Sequence, residues 1–245
     1  LKLFDRLKDF TGLKKLVYAA AGCAVAEKTY DEASATNEDA PVSLYHDSPY
    51  SISKLIGELY GNFYWNRHGL PFVKARFQNV YGPREILGAG QWRGTQHTVF
   101  RNVTPTFIWK ALQGEALPLD NGGQTSRDFI FVEDMARGLK CAALHGQPGG
   151  VYNLASGRET TIGELAAIIN ELTDNTTPPL IRPARDWDRS GRRFGATEKS
   201  KRELGFEAGI EIREGLSRTV NWTREHRDLI DRCMRQHDYF MARQG

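Results

Sequence analysis

PYSISKLIGELYGNFYWNRHGLPFVKARFQNV, residues 49–80, contains a helix, a turn and a strand in succession. Pro49 favours the first turn of a helix, and the pattern that follows stays helical to about His68. Gly69-Leu70-Pro71 ends that helix, and Phe72–Val80 is a mostly apolar run of strand length. This order predicts a helix packed beside a buried strand.

The same alternation recurs before and after this stretch. The predicted elements are a helix over residues 1–10, a buried strand over 13–21, a helix near 105–114, a strand at 129–132 and a helix from 133 to about 145. Strands that alternate with helices indicate an α/β fold with a parallel sheet covered on both faces. From Val151 onward the segments are shorter and richer in arginine, which predicts a smaller C-terminal lobe that includes a helix over Ile162–Leu172.

Composition excludes several classes of protein. The chain has 245 residues, 40% of them apolar, which can fill a sizeable core, and a net charge of +3, too small to indicate nucleic-acid binding. No apolar run has the length of a membrane span, and no signal-peptide pattern opens the chain, so we expect a soluble protein of the cytoplasm. Cys23, Cys141 and Cys233 are far apart and form no CxxC motif, which argues against disulfides and a zinc site.

Tyr50 and Lys54 are the chemically suggestive pair within the decisive stretch. Four residues apart on a helix, they share one face. A phenol titrates near pH ~10, and an ammonium about 4 Å away stabilises its anion by roughly 4 kcal/mol at an effective dielectric near 20. Tyr50 could then act as a general base. The spacing alone is weak evidence, because a solvated tyrosine and lysine on a helix would show it too.

The surroundings of this pair carry a family resemblance. Ser48-Pro49-Tyr50-Ser51-Ile52-Ser53-Lys54, followed by Glu58, resembles the SPYxxSKxxxE stretch of extended short-chain dehydrogenases, the family of NAD-dependent nucleotide-sugar epimerases and dehydratases. Further stretches match that family in the same order: Leu16-Val17-Tyr18-Ala19, then residues 76–84 (RFQNVYGPR), 127–134 (RDFIFVED), 152–157 (YNLASG) and 200–206 (SKRELGF). Their shared order is far more specific than any single match.

The resemblance implies a role for each matching residue. Tyr50 would be the acid/base, and Lys54 would hold the nicotinamide ribose and favour the phenolate, so both would also contact NAD; NADP remains an alternative. The other cofactor-lining positions would be Ala20, Ala21, Phe77 and Gln78. The substrate-contacting positions would be Asn79, Asn102, Val103, Arg127, Arg189 and Arg192. For the arginines the alternative is a solvated side chain, and for the asparagines a turn-capping amide.

The resemblance also implies a domain organisation. Residues 1–84, with 127–148 returning to them, would be the C-terminal part of a doubly wound, Rossmann-like dinucleotide-binding domain. Residues 85–245 would be mainly the substrate-binding lobe. We therefore expect a chain equivalent to the C-terminal two-thirds of such an enzyme, working as a homodimer. The dimer would use the opening helix and the Tyr50 helix, where Gly57 and Gly61 permit either close helix approach or packing on the sheet.

Two departures from the family pattern limit the functional prediction. The Gly-rich turn that binds the cofactor pyrophosphate is absent, and Gly88–Gly94 does not follow a strand as that turn would. The loop after the first strand has no serine or threonine between Leu13 and Lys28, where relatives carry a hydroxyl that orients the substrate. That loop also lacks the Asp-Glu pair of dehydratases. An epimerase that works through a transient keto-sugar therefore ranks first, and a 4,6-dehydratase or a binding protein without catalysis are the alternatives.

Overall fold

The computed structural model describes residues 1–25, 29, 31–42, 46, 48–184 and 191–243. The helices are α1 (Lys2–Leu7), α2 (Pro49–His68), α3 (Val103–Leu112), α4 (Val132–His145), α5 (Ile162–Thr173), α6 (Ile212–Glu225), α7 (Arg227–Arg235) and α8 (Asp238–Met241). The strands are β1 (Leu16–Ala21), β2 (Ala35–Thr36), β3 (Phe72–Phe77), β4 (Asn79–Tyr81), β5 (Pro118–Asp120), β6 (Ser126–Arg127), β7 (Phe129–Phe131), β8 (Val151–Leu154), β9 (Thr160–Thr161), β10 (Leu180–Arg182) and β11 (Phe194–Gly195).

The chain forms two compact units that interleave along the sequence. Unit 1 contains Leu1–Val80, Thr125–Thr161 and Arg185–Ile210, and unit 2 contains the three remaining segments, Tyr81–Gln124, Ile162–Ala184 and Glu211–Gly245. The first boundary between the units lies between Val80 and Tyr81. Residues 149–161 pack with unit 1 because they include β8, which is a strand of its central sheet.

The centre of unit 1 is a parallel sheet in the order β1-β3-β8. Leu16 pairs with Phe72 and Ala21 with Phe77, while β8 pairs with β3 from Lys74 to Phe77. Parallel neighbours need a crossover, and α2 supplies the one between β1 and β3. The predicted α/β class with parallel strands is confirmed.

Helices cover both faces of this sheet, as the alternation of elements predicts. Neighbouring residues of a strand point to opposite faces, and Phe72 and Val73 show this directly. Phe72 packs with Phe4 of α1 and Tyr64 of α2. Val73 belongs to a second core cluster that includes Met135 of α4. Both strand residues are fully buried.

Gly57 and Gly61 face the sheet. A Cβ at Gly57 would collide with the Tyr18 hydroxyl, and one at Gly61 would collide with the Phe72 ring. Of the two explanations for these glycines, packing of α2 on the sheet is therefore the one that the structure supports. Because glycine has no side chain, the helix backbone can approach β1 and β3 closely at these two positions.

The predicted strand Phe72–Val80 is in fact two strands, β3 and β4. The Gln78 N–H still donates to the Leu154 carbonyl of β8 at 3.4 Å, but the Asn79 N–H donates to the Asp128 carbonyl at 2.9 Å. The backbone changes its hydrogen-bonding partner between the polar residues Gln78 and Asn79, and the strand breaks there.

Unit 2 is built mainly from helices. Helices α3, α5 and α6 pack on one another, and β5 pairs in parallel with β10. A small core joins Leu87, Trp109 of α3 and Ile230 of α7. Within the described part of the chain, no helix combines the length and the apolar character needed to cross a bilayer.

Candidate active site

Helix α2 begins at a capped N-terminus that fixes the position of Tyr50. Ser48 has extended backbone angles, and its side chain accepts a hydrogen bond from the Ser51 N–H at 3.2 Å. Pro49 occupies the first helical turn, where its missing N–H costs nothing. Tyr50 therefore lies in the first turn of a long helix, at the end that points toward the loop after β1.

Lys54 lies beside Tyr50, as the spacing of the pair predicts. Its Nζ is 5.7 Å from the centroid of the Tyr50 ring and 5.8 Å from that of Tyr18. The same Nζ donates a 2.8 Å hydrogen bond to the Ala19 carbonyl of β1. The Tyr50 side chain is half-exposed, so an approaching molecule can reach it. Lys54 is therefore held by the protein, while Tyr50 is accessible from solvent.

Tyr18 is a site residue that sequence reasoning did not single out. Its hydroxyl donates to the Lys54 backbone carbonyl at 3.2 Å, which ties α2 to β1. Burial raises the pKa of Tyr18, and the nearby Glu58 carboxylate and Tyr50 raise it further. Tyr18 is therefore neutral at physiological pH and serves as a fixed donor. A tyrosine inside an otherwise apolar strand was the available signal.

The four residues predicted to line a cofactor lie along the carboxyl edge of the sheet. Ala21 of β1 pairs with Phe77 of β3, and Ala20 precedes Ala21 in the same register. The Gln78 side chain lies over Gly22, where a Cβ would collide with its amide. In open α/β sheets this edge is where ligands bind.

Hydroxyl groups reach this edge from α2, although residues 22–28, which follow β1, include no serine or threonine. Ser51 is buried, and its Oγ lies 3.1 Å from the Ser48 Oγ and 3.8 Å from the Cys23 Sγ. Cys23 sits in a short 3₁₀ turn over Gly22–Ala24. The Cys23 thiol is thus in contact with the helix that carries Tyr50.

Arg127 and Arg192 belong to one polar cluster in unit 1. Arg192 binds both oxygens of Glu159 at 2.8 and 3.0 Å, and Arg127 donates to the backbone carbonyls of Ser126 and Gly191 at 2.6 and 3.0 Å. The Ser126 hydroxyl donates to Glu159 at 2.5 Å. Burial opposes ionisation of Glu159, but Arg192 and Ser126 outweigh it and lower the pKa of this carboxyl. Arg189 lies outside the described residues.

Asp128 organises the loops beside this cluster. Its buried carboxylate accepts hydrogen bonds from the Ser156 N–H and hydroxyl at 2.8 and 2.7 Å. It also accepts from the N–H groups of Gly157 at 3.0 Å and Gly195 at 3.2 Å. One side chain therefore joins the loop after β8 to β11. The exposed Asn79 lies nearby, because its N–H bonds to the Asp128 carbonyl.

Asn102 and Val103 are in unit 2, at the start of α3. Asn102 is the N-cap residue of α3, and its amide donates to the Glu85 carboxylate. Asn102 lines a cavity of about 440 Å³ whose wall is formed by residues 85–91 and by several residues between Arg93 and Pro105. Burial raises the pKa of Glu85, opposed by the Asn102 hydrogen bond and by Arg101. Gly88 also lines this cavity and packs on the Cys233 backbone, so the Gly88–Gly94 segment belongs to unit 2 rather than to a strand-turn-helix motif.

Metal binding finds no support in the residues that the structure describes. They contain no group of three or more His, Cys, Asp or Glu side chains placed to hold an ion.

A parallel sheet with a Tyr-Lys pair at its carboxyl edge is the arrangement of a short-chain dehydrogenase-like enzyme, and the family comparison agrees. Residues 1–155 match the model of the NAD dependent epimerase/dehydratase family. The chain belongs to this family.

Three known proteins define the similarity further. The enzyme WbmF of Bordetella bronchiseptica, solved with NAD+ and UDP, is 55% identical, with a TM-score of 0.85 over 98% of this chain and 68% of WbmF. The UDP-glucose 4-epimerase of Thermotoga maritima, solved with UDP-glucose, is 27% identical, with a TM-score of 0.78 over 91% of this chain and 67% of that one. A dTDP-glucose 4,6-dehydratase of Streptomyces griseus is 30% identical over 78% of this chain and 53% of its own length. The chain thus spans about half the length of this curated relative.

Proposed function

We propose that the intact gene product is an NAD-dependent nucleotide-sugar epimerase, or a related oxidoreductase, that works through a transient keto-sugar. The observation that carries this proposal is the ordered Lys54 ammonium beside the half-exposed Tyr50 at the carboxyl edge of the sheet. Family membership and the likeness to WbmF support it.

The residues present fit the nicotinamide end of such a cofactor. The edge of β1 offers small side chains at Ala20 and Ala21, and Lys54 provides a cation for ribose hydroxyls. Bound NAD would accept a hydride from the sugar carbon and later return it. Tyr50 would take the proton of the sugar hydroxyl, and Lys54 would stabilise the phenolate that does so. Phe77 and Gln78 would lie against the cofactor.

The roles of the substrate-contacting residues are those that the family resemblance implies. Arg127 and Arg192 would contact the diphosphate, for which a guanidinium fork is suited. Asn79 would contact the substrate near this diphosphate, and Asn102 with Val103 would contact the nucleotide, as the resemblance implies. Arg189 would also contact the diphosphate, a role that its sequence motif alone implies.

Turnover by the intact gene product tests the proposal. Purified protein should carry or bind NAD and should convert at least one UDP- or dTDP-sugar, and Tyr50→Phe should lower kcat by at least about 100-fold because the proton acceptor is lost. Tyr60→Phe is the matched control, since Tyr60 is an exposed tyrosine on the same helix. Full activity in Tyr50→Phe would exclude this mechanism.

The two alternatives make different predictions in the same assay. A 4,6-dehydratase would release a dehydrated 4-keto-6-deoxy sugar, which mass spectrometry distinguishes from an epimer of unchanged mass. A protein that only binds would retain a nucleotide sugar without converting it. This last alternative is supported by the lack of serine and threonine in residues 22–28, which follow β1.

A homodimer is part of the same proposal. Ile52, Ile56, Leu59 and Phe63 of α2 are between 43% and 58% exposed, and their spacing places them on one stripe of the helix. Because Gly57 and Gly61 face the sheet, this stripe is the opposite, outward face. A second copy of the same chain would cover it in a symmetric helix contact.

Sedimentation of the intact protein tests the dimer. Ile56→Glu with Leu59→Lys should convert a dimer to a monomer. Leu144→Lys is the control, because Leu144 is 62% exposed on α4, away from the stripe. A monomeric parent protein would refute the proposal. A cytoplasmic location is proposed with it, since three cysteines without disulfides suit a reducing compartment.

A further inference from the structure

A buried ion pair lies one helical turn beyond Lys54. Glu58 of α2 binds Arg76 of β3 through both carboxylate oxygens, at 2.9 and 2.8 Å. The two side chains are only 5% and 6% exposed. Burying two charges costs free energy that well-formed hydrogen bonds offset only in part, so such a pair is weak evidence for a stabilising role. Its position beside the catalytic pair suggests another purpose.

Arg76 is held in place from a second direction. Its third nitrogen, Nη1, donates to the Glu38 backbone carbonyl at 2.8 Å. The Glu38 carboxylate accepts from the Asn153 N–H of β8 at 2.8 Å. The guanidinium therefore has little freedom to leave Glu58. The sequence contained an indication of this network, because Lys74 and Arg76 are charged residues within a buried strand.

Without Arg76, Lys54 would be a ready partner for Glu58. Residues four apart on a helix lie about 5–6 Å apart at Cβ, within reach of a lysine–glutamate ion pair. Another nearby cation is Lys74, whose Nζ is already bound to the Asn62 side chain and the Gly149 carbonyl. The neighbouring titratable groups are Tyr18 on β1, Tyr50, Lys54 and Glu58 on α2, Lys74 and Arg76 on β3, Glu38 and Cys23.

We propose that Arg76 is a positioning residue for the reaction: by occupying both oxygens of Glu58, it prevents Glu58 from drawing the Lys54 ammonium away from Tyr50. This inference rests on the proposed role of Tyr50 as the proton acceptor. The electrostatic reach of Glu58 toward the site is visible at Tyr18, whose pKa the Glu58 carboxylate raises after burial has done so.

The pH profile of kcat/KM in the full-length enzyme tests this role. Its acid limb reports the ionisation of the free enzyme's base. In Arg76→Met, Lys54 should turn toward Glu58, and the acid limb should move to a pH about one unit higher. At any fixed pH below the limb, this shift corresponds to a tenfold loss of the Tyr50 phenolate. In Glu58→Gln/Arg76→Met, no carboxylate competes, and the limb should return to the parental position.

Two further variants separate positioning from folding. Arg76→Lys offers one ammonium in place of a two-pronged fork, so we expect a smaller shift in the same direction. Arg213→Met removes an exposed pair in which Arg213 binds both oxygens of Glu171, and it should leave the limb in place. If Arg76→Met does not fold, the comparison of Arg76→Lys with the double variant decides the matter.

An ultraviolet difference titration of the Tyr50 phenolate gives the same information without turnover, with Tyr50→Phe versions as blanks. Shifts in this titration in a protein that turns over no sugar would keep the positioning role and refute the proposed function. The inference would be overturned if the acid limb and the phenolate titration were both unchanged in Arg76→Met and in Arg76→Lys. A double variant shifted as far as Arg76→Met would overturn it as well.

Discussion

Replacing Gly61 by alanine tests the close packing of α2 on the sheet. An alanine in a helix interior is favoured over glycine by about 1 kcal/mol, so on propensity alone the variant would be more stable. The new Cβ, however, would overlap the ring of Phe72. Normal carbon–carbon contacts are about 3.5–4.0 Å, so ring and helix would have to separate by more than about 1 Å.

Phe72 cannot yield that distance easily. It is fully buried. Its ring centroid lies 5.3 Å from that of Phe4 in an edge-on contact and 5.7 Å from that of Tyr18 in a stacked contact. Overpacking of this kind costs typically 1–3 kcal/mol and more where neighbours are fixed. With the propensity gain subtracted, we expect Gly61→Ala to lower the free energy of unfolding by about 2 kcal/mol.

Gly138→Ala in α4 is the matched control. Its Cβ would lie 3.0 and 3.1 Å from the Phe206 ring and 3.2 Å from Leu154, so a shift of a few tenths of an ångström suffices. That cost is close to the propensity gain, and the net change should be within about 0.5 kcal/mol of zero. Urea unfolding of both variants measures the difference. A Gly61→Ala protein as stable as its parent, or less affected than Gly138→Ala, would refute the packing argument.

Three further predictions concern carboxylates of unit 1. Asp128→Asn should lower stability by about 3 kcal/mol in urea unfolding, because an amide turns one donor group toward the four donors that the carboxylate satisfies; a loss below about 1 kcal/mol would contradict this. Burial opposes ionisation of Asp134, but two backbone N–H groups and a guanidinium lower its pKa below 3.8, so its contribution is present at neutral pH and disappears as the pH falls below that value. Asp134→Asn should therefore flatten the acid side of a stability–pH curve, and an unchanged slope would argue against it. On the proposed diphosphate role, Glu159→Gln should weaken UDP binding about tenfold in calorimetric titration, because Arg192 loses its bidentate anchor; tighter binding would show that Glu159 competes with the ligand.

Local patterns in the sequence were sufficient for β1, α2 and α4 of unit 1. The apolar run before Ala21 and the capped, proline-led start of the Tyr50 helix depend on neighbours within a few residues, and both are where the sequence predicts them. The proximity of Tyr50 and Lys54 follows from helix geometry for the same reason. The order of motifs was enough to indicate the family to which the chain belongs.

The tertiary structure decided which distant groups meet. Nothing in the local pattern says that Glu58 binds Arg76, that Asp128 joins the loop after β8 to β11, or that the strand divides at Gln78. Those outcomes depend on which surfaces the sheet brings together across tens of residues. The sequence by itself therefore determined β1, α2, α4 and the candidate pair, because these obey short-range periodicity. The charges that surround the pair were settled only by folding, since long-range contacts depend on how the whole unit packs.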